Sequence, residues 1–575
     1  MLIFMHSNDK MEKLVGLLAR RGFIFPSGEI YGAFAGFFDF GHYGTLLKRR
    51  IEESWWEFFV TRREDVVGLE GSIISSPQIW GASGHLREFT DPLVECGKCH
   101  SRFRADQLIE DELRISVDGM SLDAINALIS EHKLKCAKCK GDLEVAKPFN
   151  LMFKTHVGAS EDESAAAYLR PETAQMIFTN FRQMQLISRK QLPFGIAQIG
   201  KAFRNEISPR NFVFRCREFT QMEIEYFINP DKMQECPILE KEDLSLEIAV
   251  LTATMQDKRQ TEGKIFKFKD LVERKVIGTK WHAYLVLISY KWFLSLGLKP
   301  SNLRLREHVK AELSHYSSET WDMEYRYPWG WKELAGIANR GDFDLKQHML
   351  ASKKDLSYFD EGSKTKLLPS VIEPSFGLER AMLTLLLDAF EEKVEAKPAR
   401  KPDGVPSTTG AGKETKASES GADSPSQLSQ STIVEKIAPL SQNAAGNPPQ
   451  DNKASPASME EKKNILHLAP AISPVQAAVF PLMKKDGLAE KAREVFQLLK
   501  PVFSVEYDES GSIGRRYARQ DEIGTPYCIT IDYDTLKDGT VTLRERDSAR
   551  QKRINISECA SILQGMLKRN GFQGI

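Results

Sequence analysis

From Leu46 to Arg63 the text LLKRRIEESWWEFFVTRR sets Leu47, Ile51, Trp55, Phe58 and Phe59 along one side at helical spacing, with charged residues opposite. It predicts a long amphipathic helix. The period then changes: in VVGLEGSIISSPQIW, β-branched residues close on Pro77, which predicts a strand end or sheet edge because proline has no N–H for a ladder. Strand-like runs recur at LMFKTHV, FGIAQIGKAFRN, FRCREFTQMEIEYF and WKELAGIAN, with helical or mixed stretches between them. Together they predict an α+β body built on antiparallel pairing with helices packed against it. From Ile372, IEPSFGLERAMLTLLLDAF predicts a short strand, a Pro-Ser-Phe-Gly turn and a helix apolar almost all round, hence buried.

The pattern fails between 391 and 462, where Ser, Ala, Pro, Gly and Lys dominate; this stretch cannot bury enough apolar surface to offset its ordering entropy and is expected to be a disordered linker. Beyond it, AVFPLMKK, KAREVFQLLK, FSVEYDE, PYCITIDYD and GTVTLRER predict strand, helix, strand, strand and strand of a compact α/β domain over 463–575. With 575 residues the chain needs several cores. Its expected parts are 1–90, an inserted module at 91–147, a body at 148–390, the linker at 391–462 and the tail domain.

Charge and cysteine content narrow the functional class. Lys plus Arg and Asp plus Glu each total 79, so no global basic field advertises nucleic acid, and any RNA contact must rest on local patches. No stretch approaches the roughly 18 apolar residues of a membrane span, and the N-terminal MLIFMHSNDK lacks the core and basic flank of a signal peptide. A cytoplasmic protein without membrane partners is expected. Eight cysteines in so long a chain do not make a disulfide scaffold.

Candidate chemistry concentrates in FRNEISPRN, at 203–211, and the run that follows. On a strand, Arg204 and Glu206 would share one face. Pro209 and Asn211 predict a turn into a second strand on which Arg215, Arg217, Phe219, Gln221, Glu223 and Glu225 alternate with apolar neighbours. Such a hairpin suits a nucleotide, with guanidinium on phosphate, ring on base and carboxylate on amine; from the charge pattern alone, a salt-bridged solvent face is equally open. Arg380 decides between them. It falls in the opening turns of the buried helix, where the N–H groups and dipole already favour an anion, so a cation there needs a phosphate or carboxylate to meet it.

These residues carry a resemblance. FRNEISPRN with FRCREF resembles motif 2, and EPSFGLERA motif 3, of the class II aminoacyl-tRNA synthetases, and the helix ending near Phe59 with Pro77 after it resembles motif 1. GFIFPSGEIYG, RADQLIE, YLRPETAQ and SHYSSETWDMEYRYPWGWKELAGIANRGDFDL are most similar to the dimeric glycyl-tRNA synthetases, with the linker foreign to the typical member. The resemblance implies a class II antiparallel sheet with flanking helices, a C-terminal anticodon-binding domain, ATP and Mg²⁺ as cofactors, and glycine and tRNA(Gly) as substrates of a homodimer with Trp55, Trp56 and Pro77 at or near its interface.

It also implies roles. Arg204 would meet the ATP α-phosphate, Phe219 stack on adenine, Glu206 face the adenine amino group, and Arg380 bind the γ-phosphate. Further ATP positions are Asn205, Phe214, Arg215, Cys216, Arg217, Glu218, Glu333 (also a magnesium contact), Leu334, Gly377, Leu378 and Glu379. Glycine would be held by Glu172, Glu223 and Glu373, with Arg104, Phe219, Thr220, Gln221, Met222, Pro374, Ser375, Phe376 and Gly377 beside them. The alternatives are a serine, threonine or proline enzyme of the same subgroup, or a non-catalytic synthetase-like RNA-binding protein.

Two further features stand apart. Cys96, Cys99, Cys136 and Cys139 form CGKC and CAKC pairs that suit a structural Zn²⁺. The 36 residues between the pairs exceed the usual gap of about 15–20, so the site must close around a helical segment such as SLDAINALISEH; a disulfide or redox pair is the alternative. In the tail, GRRYARQ and RERDSARQKR offer phosphate contacts, and Phe503, Tyr507 and Tyr517 could stack bases, unless these clusters are a solvated charged surface. Cys216, Cys236, Cys528 and Cys559 are expected as buried packing.

Overall fold

The computed structural model describes residues 2–115, 117, 119–396 and 460–569. Most of the expected linker, 397–459, lies outside the described residues. Its two ends do not follow the expectation of disorder: Phe390–Ala396 and Glu460–Leu466 are paired strands. The chain falls into two units, 1–392 with 464–575, and 393–463.

The first unit is organised by a nine-stranded sheet. Its strands in chain order are β1 (Val66–Gly68), β2 (Phe194–Phe203), β3 (Glu218–Ile228), β4 (Glu247–Leu251), β5 (Lys264–Lys267), β6 (Leu303–Glu307), β7 (Glu319–Tyr327), β8 (Gly330–Gly341) and β9 (Ser370–Gly377). Their spatial order is β5-β4-β6-β7-β8-β9-β3-β2-β1. From β6 to β2 every pairing is antiparallel. Only the β1–β2 and β4–β6 pairings are parallel.

One face of this sheet is sealed by three helices: α1 (His42–Trp56), α2 (Lys280–Ser295) and α3 (Leu378–Ala389). Leu47, Ile51, Trp55 and Phe59 project from α1 and the π-turn after it into the same core as Met222, Ile224, Phe376 and Leu334 from the sheet. Trp55 is fully enclosed within its own chain, against Phe59 and Phe376. Pro77 differs from the expectation. It opens a short helix, Pro77–Ala82, whose first turn is capped by Ser76, because a proline without an N–H is as compatible with the first helical position as with a strand edge.

Two smaller bodies complete the unit. Residues 90–150 form a three-stranded sheet, Thr90–Glu95 between Arg102–Arg104 and Lys147–Asn150, with the helices Ala105–Leu113 and Leu122–Glu131 packed on it. The C-terminal domain has a five-stranded sheet in the order Val505–Tyr507, Ala477–Pro481, Tyr527–Ile531, Thr540–Glu545, Gln551–Asn555. A helix absent from the sequence expectation, Ile513–Ile523, takes up GRRYARQ.

Candidate active site

The sheet's free face gathers the charge. Along β3, Met222, Ile224 and Tyr226 enter the core, which by strand alternation turns Gln221, Glu223 and Glu225 to the other side. Glu223 lies opposite Ser375 of β9, and Glu373, two residues earlier on β9, lies opposite Ala338 of β8. Register alone therefore brings Glu223, Ser375 and Glu373 onto one patch.

Each of these groups is held. Glu223 accepts from the Thr173 amide at 3.0 Å, from the Thr173 hydroxyl, from the Ser375 hydroxyl at 2.7 Å and from the Gln221 amide group. Glu373 receives Arg340 Nη1 at 3.0 Å on both oxygens, and the same guanidinium donates to Asp344 at 2.8 and 2.9 Å. Tyr316 lies 3.8 Å from the guanidinium carbon. Glu172 accepts from Gln175 at 2.9 Å and faces His85 Nε2 at 3.3 Å. Burial works against the Glu172 charge, yet His85 and Arg340 hold its carboxyl well below the usual range. Glu373 goes the other way: burial, with the repulsion of Glu223 and Glu172, pushes it up to about 8 despite Arg340.

Around this patch opens a cavity of about 850 Å³, lined among others by Glu172, Arg204, Gln221, Glu223, Asp322, Glu333, Glu373 and Ser375, a size suited to a nucleotide with a small second substrate. Arg204 crosses its wall with Nε on the Pro171 carbonyl at 3.1 Å and its guanidinium 5.2 Å from the Phe219 ring centre. Arg380 sits in the first turn of α3 with Nη1 at 3.1 Å from both the Glu333 carbonyl and its carboxylate. The positive fields of Arg380, His308 and Arg204 converge on Glu333. Gly200 makes room nearby: a Cβ there would stand 2.1 Å from Nη2 of the buried Arg170, which ties Lys201 of β2 to Gly71.

Two family models match the chain, the tRNA synthetase class II core domain (G, H, P, S and T) over residues 153–247 and the anticodon binding domain over 476–566. A glycine–tRNA ligase of Caldanaerobacter subterraneus subsp. tengcongensis is 40% identical over 565 residues, 97% of this chain and 98% of its own length. One of Streptomyces coelicolor is 40% identical over 564 residues, 97% of this chain and 99% of its own. The chain belongs to the glycine–tRNA ligase family.

Measured against glycine–tRNA ligase expectations, the predicted residues sort by where their side chains go. Glu172, Gln221, Glu223, Glu333, Glu373, Ser375 and Arg204 line one cavity. Met222, Phe376, Leu334, Leu378 and Cys216 are buried in the main core, leaving only their backbone for a ligand; Pro374 is buried in β9. Glu379 is bound by the Thr220 amide at 2.7 Å, the Thr220 hydroxyl and Lys48 at 2.7 Å, so it ties α3 to β3 and is not free for ATP. Gly377 caps α3. Phe214 lies 4.6 Å from the Arg380 guanidinium, measured at its ring centre. Arg104 stands outside the cavity lining, clamped by Asp91 at 2.8 Å and by Asp106.

Motif geometry departs from the strand reading. β2 ends at Phe203; Arg204 and Glu206 lie beyond it in a tight turn, the Glu206 amide donating to the Arg204 carbonyl at 2.7 Å. Arg215 and Arg217 precede β3, and the Arg217 side chain holds the Glu206 carbonyl at 2.9 Å. Glu218 pairs with Lys201 at 3.0 Å, and the Asn205 amide donates to Leu151. Nor is Pro-Ser-Phe-Gly a turn: β9 runs through it and leads straight into α3.

Sequence reasoning missed Arg340, Asp344, Tyr316, His85, His308 and Asp322. Arg340 and Asp344 were legible as a cation and a carboxylate four apart in ANRGDFDL, amid residues that otherwise read as strand and helix core. His308 reaches Asp322 at 2.8 Å, and burial pushes Asp322 up to about 6. With Glu333 it gives the cavity two carboxylates, an oxygen donor set that suits Mg²⁺.

The four module cysteines also converge. Cys96 and Cys139 are 3.5 Å apart at sulfur, Cys99 and Cys136 3.6 Å, and all four sulfurs lie within 4.8 Å of one another. Tetrahedral zinc with bonds of about 2.3 Å wants sulfurs about 3.8 Å apart, so the set fits one ion. The long gap is filled by the two module helices.

Proposed function

We propose that the chain activates glycine with ATP and Mg²⁺ and esterifies it to the 3′ end of tRNA(Gly), as a cytoplasmic homodimer with a structural Zn²⁺ on its four module cysteines. The observation that carries this reading is the closure of Glu172, Glu223 and Glu373 around Ser375 in the same cavity as Arg204. Three carboxylates suit an ammonium.

The glycine carboxylate oxygen attacks the ATP α-phosphorus, and the bond to the β-phosphate breaks to release pyrophosphate. The terminal ribose hydroxyl of tRNA then attacks the glycyl carbonyl, and AMP leaves as the hydroxyl loses its proton. No protein nucleophile is needed; placement and fixed charge suffice. Arg204 at the cavity wall would meet the α-phosphate, Phe219 offers its ring to adenine, and Arg380 would meet the γ-phosphate. Glu206 keeps a buried oxygen without a hydrogen-bond partner, an acceptor for the adenine amino group. Asp322 and Glu333 would hold Mg²⁺, which neutralises phosphate charge when bound.

Of the tail's basic residues, Arg516 and Arg546 are buried, Arg544 pairs with Asp521 at 2.9 Å and Arg553 with Asp532 at 2.6 Å. Arg515, Arg550 and Lys552 are exposed and remain for tRNA phosphates. Phe503 packs in the domain core; the Tyr517 hydroxyl meets Thr530 and its ring carries Arg544, while Tyr507 carries Arg493. These rings are not poised to stack bases. For the dimer, Ile73 and Ile74 beside the short helix at Pro77 are 38% and 50% exposed, apolar surface that a second copy would cover. Among the described residues no helix is long and apolar enough to cross a membrane.

The test of specificity is amino-acid-dependent pyrophosphate exchange: glycine alone is expected to support it. Exchange with serine, threonine or proline and not glycine would transfer the chain to a sister specificity, and none with any amino acid would favour a non-catalytic RNA-binding protein. For the metal, one zinc per chain is expected by elemental analysis. Cys99→Ser should lose it and lower the thermal midpoint, with glycine exchange falling less than after any change in the cavity; full zinc content in Cys99→Ser would remove the cysteine cluster as the site.

A further inference from the structure

Beneath the three carboxylates lies a fourth that the reaction does not use. Glu225 is fully buried, and neither of its oxygens has a hydrogen-bond partner. One oxygen of each of Glu223, Glu225 and Glu373 lies within 4.8 Å of the others. The β3–β9 ladder is open at this point: its pairs run from Glu223 with Ser375 directly to Tyr226 with Ile372, skipping Ile224 and Glu225 against Glu373 and Pro374. Glu225 thus occupies a break in the sheet that a proline imposes, directly under the site.

The charges facing it come from four segments: Glu223 is on its own strand, Glu373 on β9, Arg340 on β8 and Asp344 in the helix Phe343–Ser352. Arg340 is committed to Asp344 and Glu373, and Glu223 already has four donors. An ionised Glu225 would have no hydrogen-bond donor, and Arg340, the one opposing charge facing it, is shared with the carboxylates around it, an arrangement a buried site does not tolerate. Protonated, it brings a neutral O–H donor into a cluster where one oxygen each of Glu223 and Glu373 lies within 4.8 Å.

We propose that Glu225 is a positioning residue of the glycine site that keeps a proton throughout the reaction and, as a neutral donor, holds the Glu223 and Glu373 carboxylates in the arrangement that receives an ammonium. The inference rests on the reading of this cavity as the glycine site. Glycine-dependent exchange by the wild-type enzyme tests that reading separately; if it fails there, the glycine site falls before Glu225 is in question.

The experiment is steady-state pyrophosphate exchange with the full-length enzyme, varying glycine and ATP from pH 6 to 9, for wild type, Glu225→Gln and Glu225→Met. Glutamine keeps a neutral donor, so the glycine KM and kcat should stay within about 3-fold of wild type and the pH profiles of KM should superimpose. Methionine keeps the bulk without the donor: the glycine KM should rise about 10-fold, with the ATP KM within 2-fold and kcat little changed. A 10-fold rise in glycine KM for Glu225→Gln, or divergent pH profiles, would show an ionised Glu225 and overturn the proposal, as would an unchanged glycine KM for Glu225→Met. The glutamine variant needs no new packing, so the decisive comparison survives if the methionine variant fails to fold.

Discussion

Replacing Arg340 with glutamine is expected to abolish glycine-dependent pyrophosphate exchange and to destabilise the enzyme by about 3–5 kcal/mol, the cost of leaving buried charges without their partner. The side chain is 1% exposed and its guanidinium serves Asp344, Glu373 and, at 3.8 Å, Glu172. Removing it strands three carboxylates. Glu172 would lose a charge that holds its carboxyl low, Glu373 the one group that opposes its upward shift, and a protonated Glu172 no longer attracts an ammonium. Lysine should not rescue the loss, because one ammonium cannot reproduce paired donation to Asp344 together with the contact to Glu373. The checks are exchange kinetics and the thermal midpoint of both variants. A stable Arg340→Gln enzyme with normal glycine KM would separate this cluster from amino-acid recognition.

Arg204→Ala and Arg380→Ala should each lower kcat for exchange by about 10²–10³-fold, by analogy with the loss of one preorganised donor to a developing charge. Their stability should change far less than that of Arg340→Gln. Arg204 gives up one hydrogen bond to the Pro171 carbonyl and ring contacts with Phe89 and Phe219; Arg380 gives up Glu333 and Phe214. A thermal midpoint near wild type with exchange reduced at saturating ATP places both groups in the chemical step. A fall in midpoint that matches the fall in rate would make them structural.

What the sequence disclosed follows from which physical rule was operating. On β3 the side-chain period of two is undisturbed, so the common face of Gln221, Glu223 and Glu225 could be read directly. The same rule misplaced Arg204 and Glu206, because the strand ends one residue earlier and a turn closed by the Glu206 amide replaces alternation. Pro374 suggested a turn because proline breaks ladders; here the ladder on one side simply skips it while β8 still pairs on the other. Arg340 was unreadable as a site residue because, although Asp344 stands four residues on, the Glu373 that ties it to the site comes from β9, a long-range contact that no local pattern announces. In the tail, arginine clusters gave no hint that Asp521 and Asp532 compensate them from other segments.

The most direct measurement is a crystal structure of the enzyme with a non-hydrolysable glycyl-adenylate analogue. The ammonium is expected among Glu172, Glu223 and Glu373, the adenine on Phe219, and the Arg204 guanidinium on the group that replaces the α-phosphate. An analogue bound outside this cavity, or bound with Arg204 turned away and the three carboxylates unoccupied, would contradict the assignment of the site.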